Sequence, residues 1–389
     1  MDNRIRSAMA SAAQGLIDRD GLVDAIVLAA LAGEHVLVIG PPGTAKSEAV
    51  RRVARVLGGR YFEYLLGRFT EPAEVFGPVN LTKLRAGTVE IDTTGMLPEA
   101  EVAFLDEVFQ GSTAILNSLL GLLNERTFLR GHTRMACPLR VCVGASNALP
   151  EDESLAAFAD RFLVRVFLES VSDARLEHLL QAGWALTPPA ALPLGLDLVD
   201  EFARRGRAVD LEGIRPVLAE AIRRLRGVGV NLSDRRLVRT QRLIAAATVI
   251  DDRSEATAAD LWPLVLAVPT AEQQQTARET LHDLLEQVHS ATLPAAAMMA
   301  SHGAQARARL IVEIGEALLG TPPAADDETA LRRWRLRLEG VLREIDAGFV
   351  TASLPSGLKE LRERLAVMTG SGAAATASAP TSASRPPTG

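Results

Sequence analysis

The chain is poor in aromatic residues and almost without cysteine. Its 389 residues include 3 Trp, 2 Tyr and 11 Phe, 4% in all, and 2 Cys. Cys137 and Cys142, with Pro138 and a strand-like run between them, offer no disulfide framework and read as small core residues. Basic residues are not interleaved with aromatic ones, the pattern that single-stranded nucleic acid favours. Neither sign of charge dominates: 42 Lys and Arg face 48 Asp and Glu, a net charge of −6, which disfavours a nucleic-acid partner. Long apolar runs are also missing. Leu22–Ala32 is interrupted by Asp24, is too short to span a bilayer and carries no cleavage-site pattern, so the expectation is a cytoplasmic protein without a membrane span.

What remains, 48% hydrophobic and 23% charged residues, describes a globular chain long enough for two or three cores. One stretch organises the reading. Val36–Ile39 is an apolar strand, and Gly40-Pro41-Pro42-Gly43-Thr44-Ala45-Lys46-Ser47 follows it and opens onto a helical pattern ending at Gly58-Gly59. A loop between a buried strand and a helix N-terminus gathers unpaired backbone N–H groups at the positive end of the helix dipole, a cradle for polyphosphate. Lys46 can reach the β- and γ-phosphates and the Ser47 hydroxyl can ligate Mg²⁺. Ala45 stands where the strict motif has glycine, and alanine tolerates a positive φ less readily.

Further on, Glu101–Leu105 is an apolar strand that ends in Asp106-Glu107. Such a pair completes a nucleotide-hydrolysis site: Asp106 holds Mg²⁺ and Glu107 polarises the attacking water. Leu139–Ala145 is a strand that leads to Ser146-Asn147, placing Asn147 where open parallel sheets keep their ligands. With a second strand at 60–65 and a fifth at 163–168, strands alternate with helices, which predicts a doubly wound parallel five-stranded sheet. Residues 79–91 read as a hairpin inserted into the second helix rather than a core strand, and Thr127–Met135 as another, turning at Gly131. Thr70 reads as the cap of a helix beginning at Pro72.

From Ser172 the strand patterns stop, and helical patterns at 172–182, 196–205, 211–226 and 234–250 predict an all-α lid. Ser233 or Asp234 caps the last helix and puts Arg235 and Arg236 in its first turn, against the helix dipole. Thr270-x-x-Gln273 fits a capping box, and narrow apolar seams at 277–288, 331–345 and 358–368 suit a helical bundle. The expected division is an α/β core over 1–170, a lid over 171–269, a bundle over 270–368 and a disordered tail over 369–389.

These pieces resemble the MoxR family of AAA+ ATPases, and within it the RavA-like branch. The resemblance rests on GPPGTAKS (40–47), RFTEPAEVFGP (68–78), LPEAEVAFLDEVF (97–109), ILNSLLGLLNERTF (115–128), ASNALPE (145–151), FADRFLVR (158–165) and LSDRRL (232–237). It covers about residues 5–268, fades beyond 270 and finds no counterpart of RavA's inserted β-rich domain. It implies that Asn147 is sensor 1, Arg161 an arginine finger acting on the neighbouring subunit, and Arg235, with Arg236 as fallback, sensor 2. It implies that 79–91 and 127–135 face the pore or upper surface of a ring. The expectation is a homo-hexameric Mg-ATP-driven remodeller of protein clients or metal-cofactor insertion, working with a von Willebrand A-domain protein. The alternatives are a nucleotide-controlled assembly scaffold with slow hydrolysis and, third, a DNA-associated motor.

Overall fold

A computed structural model of the chain describes residues 2–172, 175–184, 193–323, 327–348, 354 and 356–369. Its seven strands are β1 (Val36–Ile39), β2 (Tyr61–Leu65), β3 (Val102–Asp106), β4 (Thr127–Arg130), β5 (Thr133–Ala136), β6 (Val141–Ser146) and β7 (Val164–Phe167). Five of them form one parallel sheet in the order β2-β3-β6-β1-β7. Period-two alternation splits each central strand between two apolar layers. Val36 and Val38, Val102 and Phe104, Val141 and Val143 enter one layer. Leu37 and Ile39, Ala103 and Leu105, and Cys142 enter the other. A sheet covered on both faces needs strands without a polar side, and these strands have none.

The helices around the sheet are α1 (Asp2–Ala13), α2 (Asp20–Ala32), α3 (Lys46–Leu57), α4 (Pro72–Phe76), α5 (Leu81–Arg85), α6 (Thr113–Glu125) and α7 (Glu153–Ala159). Helix α2 is buried along nearly its whole length and ends at Gly33, whose φ of 68° makes the left-handed cap that glycine adopts without strain. Two local expectations are corrected. The insert 79–91 is not a strand hairpin: Val79 and Ile91 form a single bridge, and Asn80 accepts from the N–H groups of Thr82 and Lys83 and so starts α5 instead. Helix α4 is capped by Glu71 in a reciprocal box with Glu74, while Thr70 Oγ1 accepts from Gly67 N at 2.9 Å. The hairpin β4–β5 forms as expected.

Then come α8 (Leu176–Trp184), α9 (Leu196–Arg207), α10 (Ile214–Gly227), α11 (Asp234–Ile250), α12 (Pro263–Leu266), α13 (Ala271–Thr280), α14 (His282–Leu285) and α15 (Pro294–Ser301), followed by α16 (Gly303–Gly320), α17 (Glu328–Gly348) and α18 (Ser356–Thr369). The chain divides into two compact units, 1–171 with 181–303, and 172–180 with 304–389. This differs from a bundle running over 270–368. Leu281, Leu285, Leu293, Ala296 and Ala300 join the same apolar layer as α2 and β1. Asp24, buried in α2, accepts from Ala295 N at 3.0 Å and Ala296 N at 3.1 Å, capping α15 from a segment far away in sequence. The remaining helices make their own small core from Ile311, Leu318, Leu338, Val341, Ile345, Leu358, Leu361 and Leu365. There Trp334 Nε1 donates to Leu318 O at 2.7 Å, and a Cβ on Gly315 would sit 2.6 Å from Leu361. The tail beyond Thr369 lies outside the described residues.

Candidate nucleotide site

The site is built at the C-terminal ends of β1, β3 and β6, where neighbouring strands diverge in their connections. Gly40 leaves β1 with its N–H on Ser146 O, and a Cβ there would lie 2.8 Å from Leu168 O, so the loop starts flat against the backbone leaving β7. Gly43 turns at φ 77° and Ala45 at φ 60°, ψ 26°, immediately before α3. Alternation between left- and right-handed backbone aims successive N–H groups at one point, the geometry that holds phosphate. For alanine the left-handed region costs about 1–2 kcal/mol. Strain kept at such a place points to a fixed loop.

Lys46 is buried at the start of α3, and its Nζ donates to Gly40 O at 2.7 Å and Pro41 O at 3.1 Å. Burial lowers its pKa, while Asp106 and Glu107 act in the opposite sense. Asp106 closes β3, and its Oδ1 accepts from Glu107 N at 3.0 Å. Glu107 itself sits at φ 49°, a second strained non-glycine residue. Asn147, just past β6, donates from Nδ2 to Glu107 Oε1 at 2.8 Å. Pro42 to Ser47, Asp106, Glu107 and Asn147 line one cavity of about 410 Å³. The size suits a nucleotide's phosphates, and the donors are a hydroxyl, a carboxylate, an ammonium and a backbone nest. Those groups fit Mg²⁺ and a polyphosphate: Ser47 and Asp106 offer hard oxygen ligands, and Lys46 and the loop offer cationic and N–H contacts.

Residues 3–192 match the family model described as the MoxR domain in the MoxR-vWA-beta-propeller ternary systems. The Mycobacterium tuberculosis protein named Chaperone MoxR1 is 28% identical over 181 residues, 45% of this chain and 47% of its own. Over its N-terminal half the chain is thus similar to MoxR proteins. Two Methanocaldococcus jannaschii proteins, MJ0079 and MJ0812, are 34% identical over 247 residues, 63% of this chain. The match spans 64% and 66% of their own lengths, just under two thirds. A solved structure from Cytophaga hutchinsonii, assigned as an ATPase, superposes with a TM-score of 0.59 at 14% identity, covering 74% of this chain and 95% of that one, and so shares the fold. The RavA-like branch finds no support in these names.

The resemblance implies roles for Arg161 and Arg235, with Arg236 as fallback, and the three lie in different surroundings. Arg161 lies between α7 and β7, half-buried, with no hydrogen-bond partner for its buried Nε. Arg235 is exposed in the first turn of α11. Arg236, only 1% exposed, is fully engaged: it donates to Ala267 O at 2.8 Å, Leu163 O at 2.7 Å, Phe162 O at 3.2 Å and Asp160 Oδ1 at 3.0 Å. Asp160 also accepts from Ser233 Oγ at 3.3 Å. Arg236 is thus a tie between α11 and the sheet, which leaves Arg235 as the available first-turn cation. Two more arginines of α11 strengthen that tie, Arg239 at 3.3 Å and Arg242 at 3.1 Å from Glu34, which is buried ahead of β1. His35 beside it is held neutral by burial and by Arg126, accepting at Nδ1 from Cys142 N and meeting Leu123 O through Nε2.

Residue-by-residue reading missed these ties and missed Arg19, whose guanidinium reaches the phosphate loop. No local pattern marks them, since each partner lies on a distant segment. Among the described residues no cluster of three or more His, Cys, Asp or Glu could hold a metal ion on its own, and no helix is long and apolar enough to cross a membrane.

Proposed function

We propose that the chain is a Mg-ATP-hydrolysing ring ATPase of the MoxR type, which remodels protein complexes or assists metal-cofactor insertion. The observation that carries this reading is the meeting of Lys46, Ser47, Asp106, Glu107 and Asn147 around one cavity on the phosphate loop. Lys46 and the loop N–H groups would bind and orient the β- and γ-phosphates. Ser47 and Asp106 would hold Mg²⁺, which when bound neutralises charge developing on the phosphates. Glu107 would orient a water molecule and take its proton, and Asn147 would fix the Glu107 carboxylate in place. Arg161 would complete the site of the neighbouring subunit in a homo-hexamer, and Arg235 would report nucleotide state from the lid.

The family description names a von Willebrand A-domain component, which supports a partner of that type for this chain. The chaperone named among its relatives supports a protein client. The test is ATP turnover of the full chain with Mg²⁺, alone and with a von Willebrand A-domain protein encoded beside it. Turnover that depends on Mg²⁺ and responds to that protein supports the motor. Nucleotide binding with negligible turnover in both conditions favours the assembly scaffold, and no nucleotide binding overturns both.

A further inference from the structure

Arg19 lies in the connection between α1 and α2, remote in sequence from the phosphate loop, and is only 4% exposed. Its Nε donates to Thr44 O at 2.7 Å, its Nη2 to Glu169 O at 2.9 Å and its Nη1 to Asp18 O at 2.7 Å. One planar fork therefore fixes three stretches of backbone: its own loop, the phosphate loop and the segment leaving β7. We propose that Arg19 is a positioning residue for the phosphate loop, setting the Thr44–Ala45 peptide so that its N–H is presented to phosphate.

The Thr44–Ala45 peptide bond is trans, so the Thr44 carbonyl and the Ala45 N–H point in opposite directions. Drawing Thr44 O towards Arg19 turns the Ala45 N–H away from Arg19. Thr44, Ala45, Lys46 and Ser47 all line the phosphate cavity. The loop needs such a hold because Ala45 occupies the left-handed region at φ 60°, which glycine enters freely and alanine does not. The loop's own restraint, Thr44 Oγ1 donating to Pro41 O at 2.9 Å, acts on the preceding side chain and leaves the peptide plane to Arg19. A lysine would not replace it, since a single ammonium on a flexible stem lacks the spread, planar fork that reaches three carbonyls on separate segments.

This inference rests on the nucleotide-binding reading above, and its test separates the two. A fluorescent ATP analogue with Mg²⁺ is titrated into the full-length native chain and the variants Arg19→Met, Arg19→Lys, Ala45→Gly and Arg19→Met/Ala45→Gly. Arg19→Met and Arg19→Lys are expected to weaken binding at least about tenfold, and Ala45→Gly is the background in which the cost of losing Arg19 is measured again. The double variant is expected to bind within about threefold of Ala45→Gly, because glycine takes up the left-handed conformation unaided. Where Arg19→Met does not fold, Arg19→Lys and Arg19→Lys/Ala45→Gly carry the same comparison. A native chain that binds no analogue overturns the function reading and this inference with it. Native-like binding by Arg19→Met, or a double variant as weak as the single one, overturns this inference alone.

Discussion

Asn147 donates its side-chain amide to Glu107 Oε1 at 2.8 Å, joining the end of β6 to the residue after β3. Glu107 therefore has one carboxylate oxygen engaged, and its backbone is held at φ 49°. If the pair works as proposed, the two residues fail differently from Lys46. Lys46→Ala should lose nucleotide binding by about a hundredfold or more, since it removes the cation facing the phosphates. Glu107→Gln should bind ATP normally and turn over at least about a hundredfold more slowly, because only the base is lost. Asn147→Ala should also keep binding, with kcat lowered by less than in Glu107→Gln, since it only frees the carboxylate that Asn147 holds. Equilibrium titration beside single-turnover hydrolysis checks all three, and equal loss of binding in Glu107→Gln would make Glu107 structural.

Arg235 and Arg236, adjacent in sequence, are expected to separate cleanly. Arg236→Met leaves the Leu163, Phe162 and Ala267 carbonyls and Asp160 without their donor and should destabilise the fold by about 3 kcal/mol. Arg235→Ala removes an exposed side chain and should leave stability within about 0.5 kcal/mol. Its effect should appear in ATP turnover instead. Chemical denaturation and turnover on the same samples decide it, and an Arg235→Ala chain as unstable as Arg236→Met would reverse the assignment.

For Arg161 the expectation concerns assembly. A finger acting on a neighbouring subunit makes activity rise faster than linearly with protein concentration. Arg161→Ala should then form native-sized oligomers and lose turnover by a factor of about 10³. Light scattering with turnover measures both, and full activity in a monomeric sample would defeat the shared-site arrangement.

Asp24 gives a pH signature. Burial pushes its carboxyl up to about 7, against the two N–H groups of α15 that favour the charged form. Between pH about 4 and 7 the folded state keeps a proton that the unfolded state has released, so this group's contribution to stability falls as pH rises. Asp24→Asn keeps an oxygen for Ala295 and Ala296 and has no proton to lose. It should be more stable than native at pH 8 by on the order of a few kcal/mol, the gap closing by pH about 4. Parallel melting curves of native and variant measure the difference, and a gap independent of pH would assign the shift to packing.

The elements that local pattern dictates were legible in the sequence. Val36–Ile39 and Val102–Leu105 are apolar on both faces, and a strand buried on both sides has no other composition. The phosphate loop and Asp106-Glu107 were legible because their chemistry is written in consecutive residues. Long-range ties were not. Nothing in the sequence marks Glu34 and His35, yet both are buried, because Arg239, Arg242 and the Cys142 N–H meet them from distant segments. Asn80 outweighed the β-branched residues around it by capping a short helix. The apolar face of 271–301 has the spacing of a bundle helix, and spacing does not say which surface will cover it.

That last point sets where the chain can be cut. A truncation after Pro269 removes Leu281, Leu285, Leu293 and Ala296 from the layer shared with α2 and β1, and leaves Asp24 buried with no helix to cap. Losing several fully buried side chains at roughly 2–3 kcal/mol each exceeds the stability of an ordinary domain, so this fragment should aggregate. A truncation after Gly303 follows the division between the two compact units and keeps that layer whole. It should stay folded, bind nucleotide like the full chain and retain turnover, while lacking the 304–369 helices proposed as a docking platform for a partner or client. Expression, size and turnover of the two fragments decide the boundary. Loss of a co-purifying partner from an active 1–303 fragment would favour docking, and collapse of that fragment to inactive monomers would make the last helices a brace for the ring.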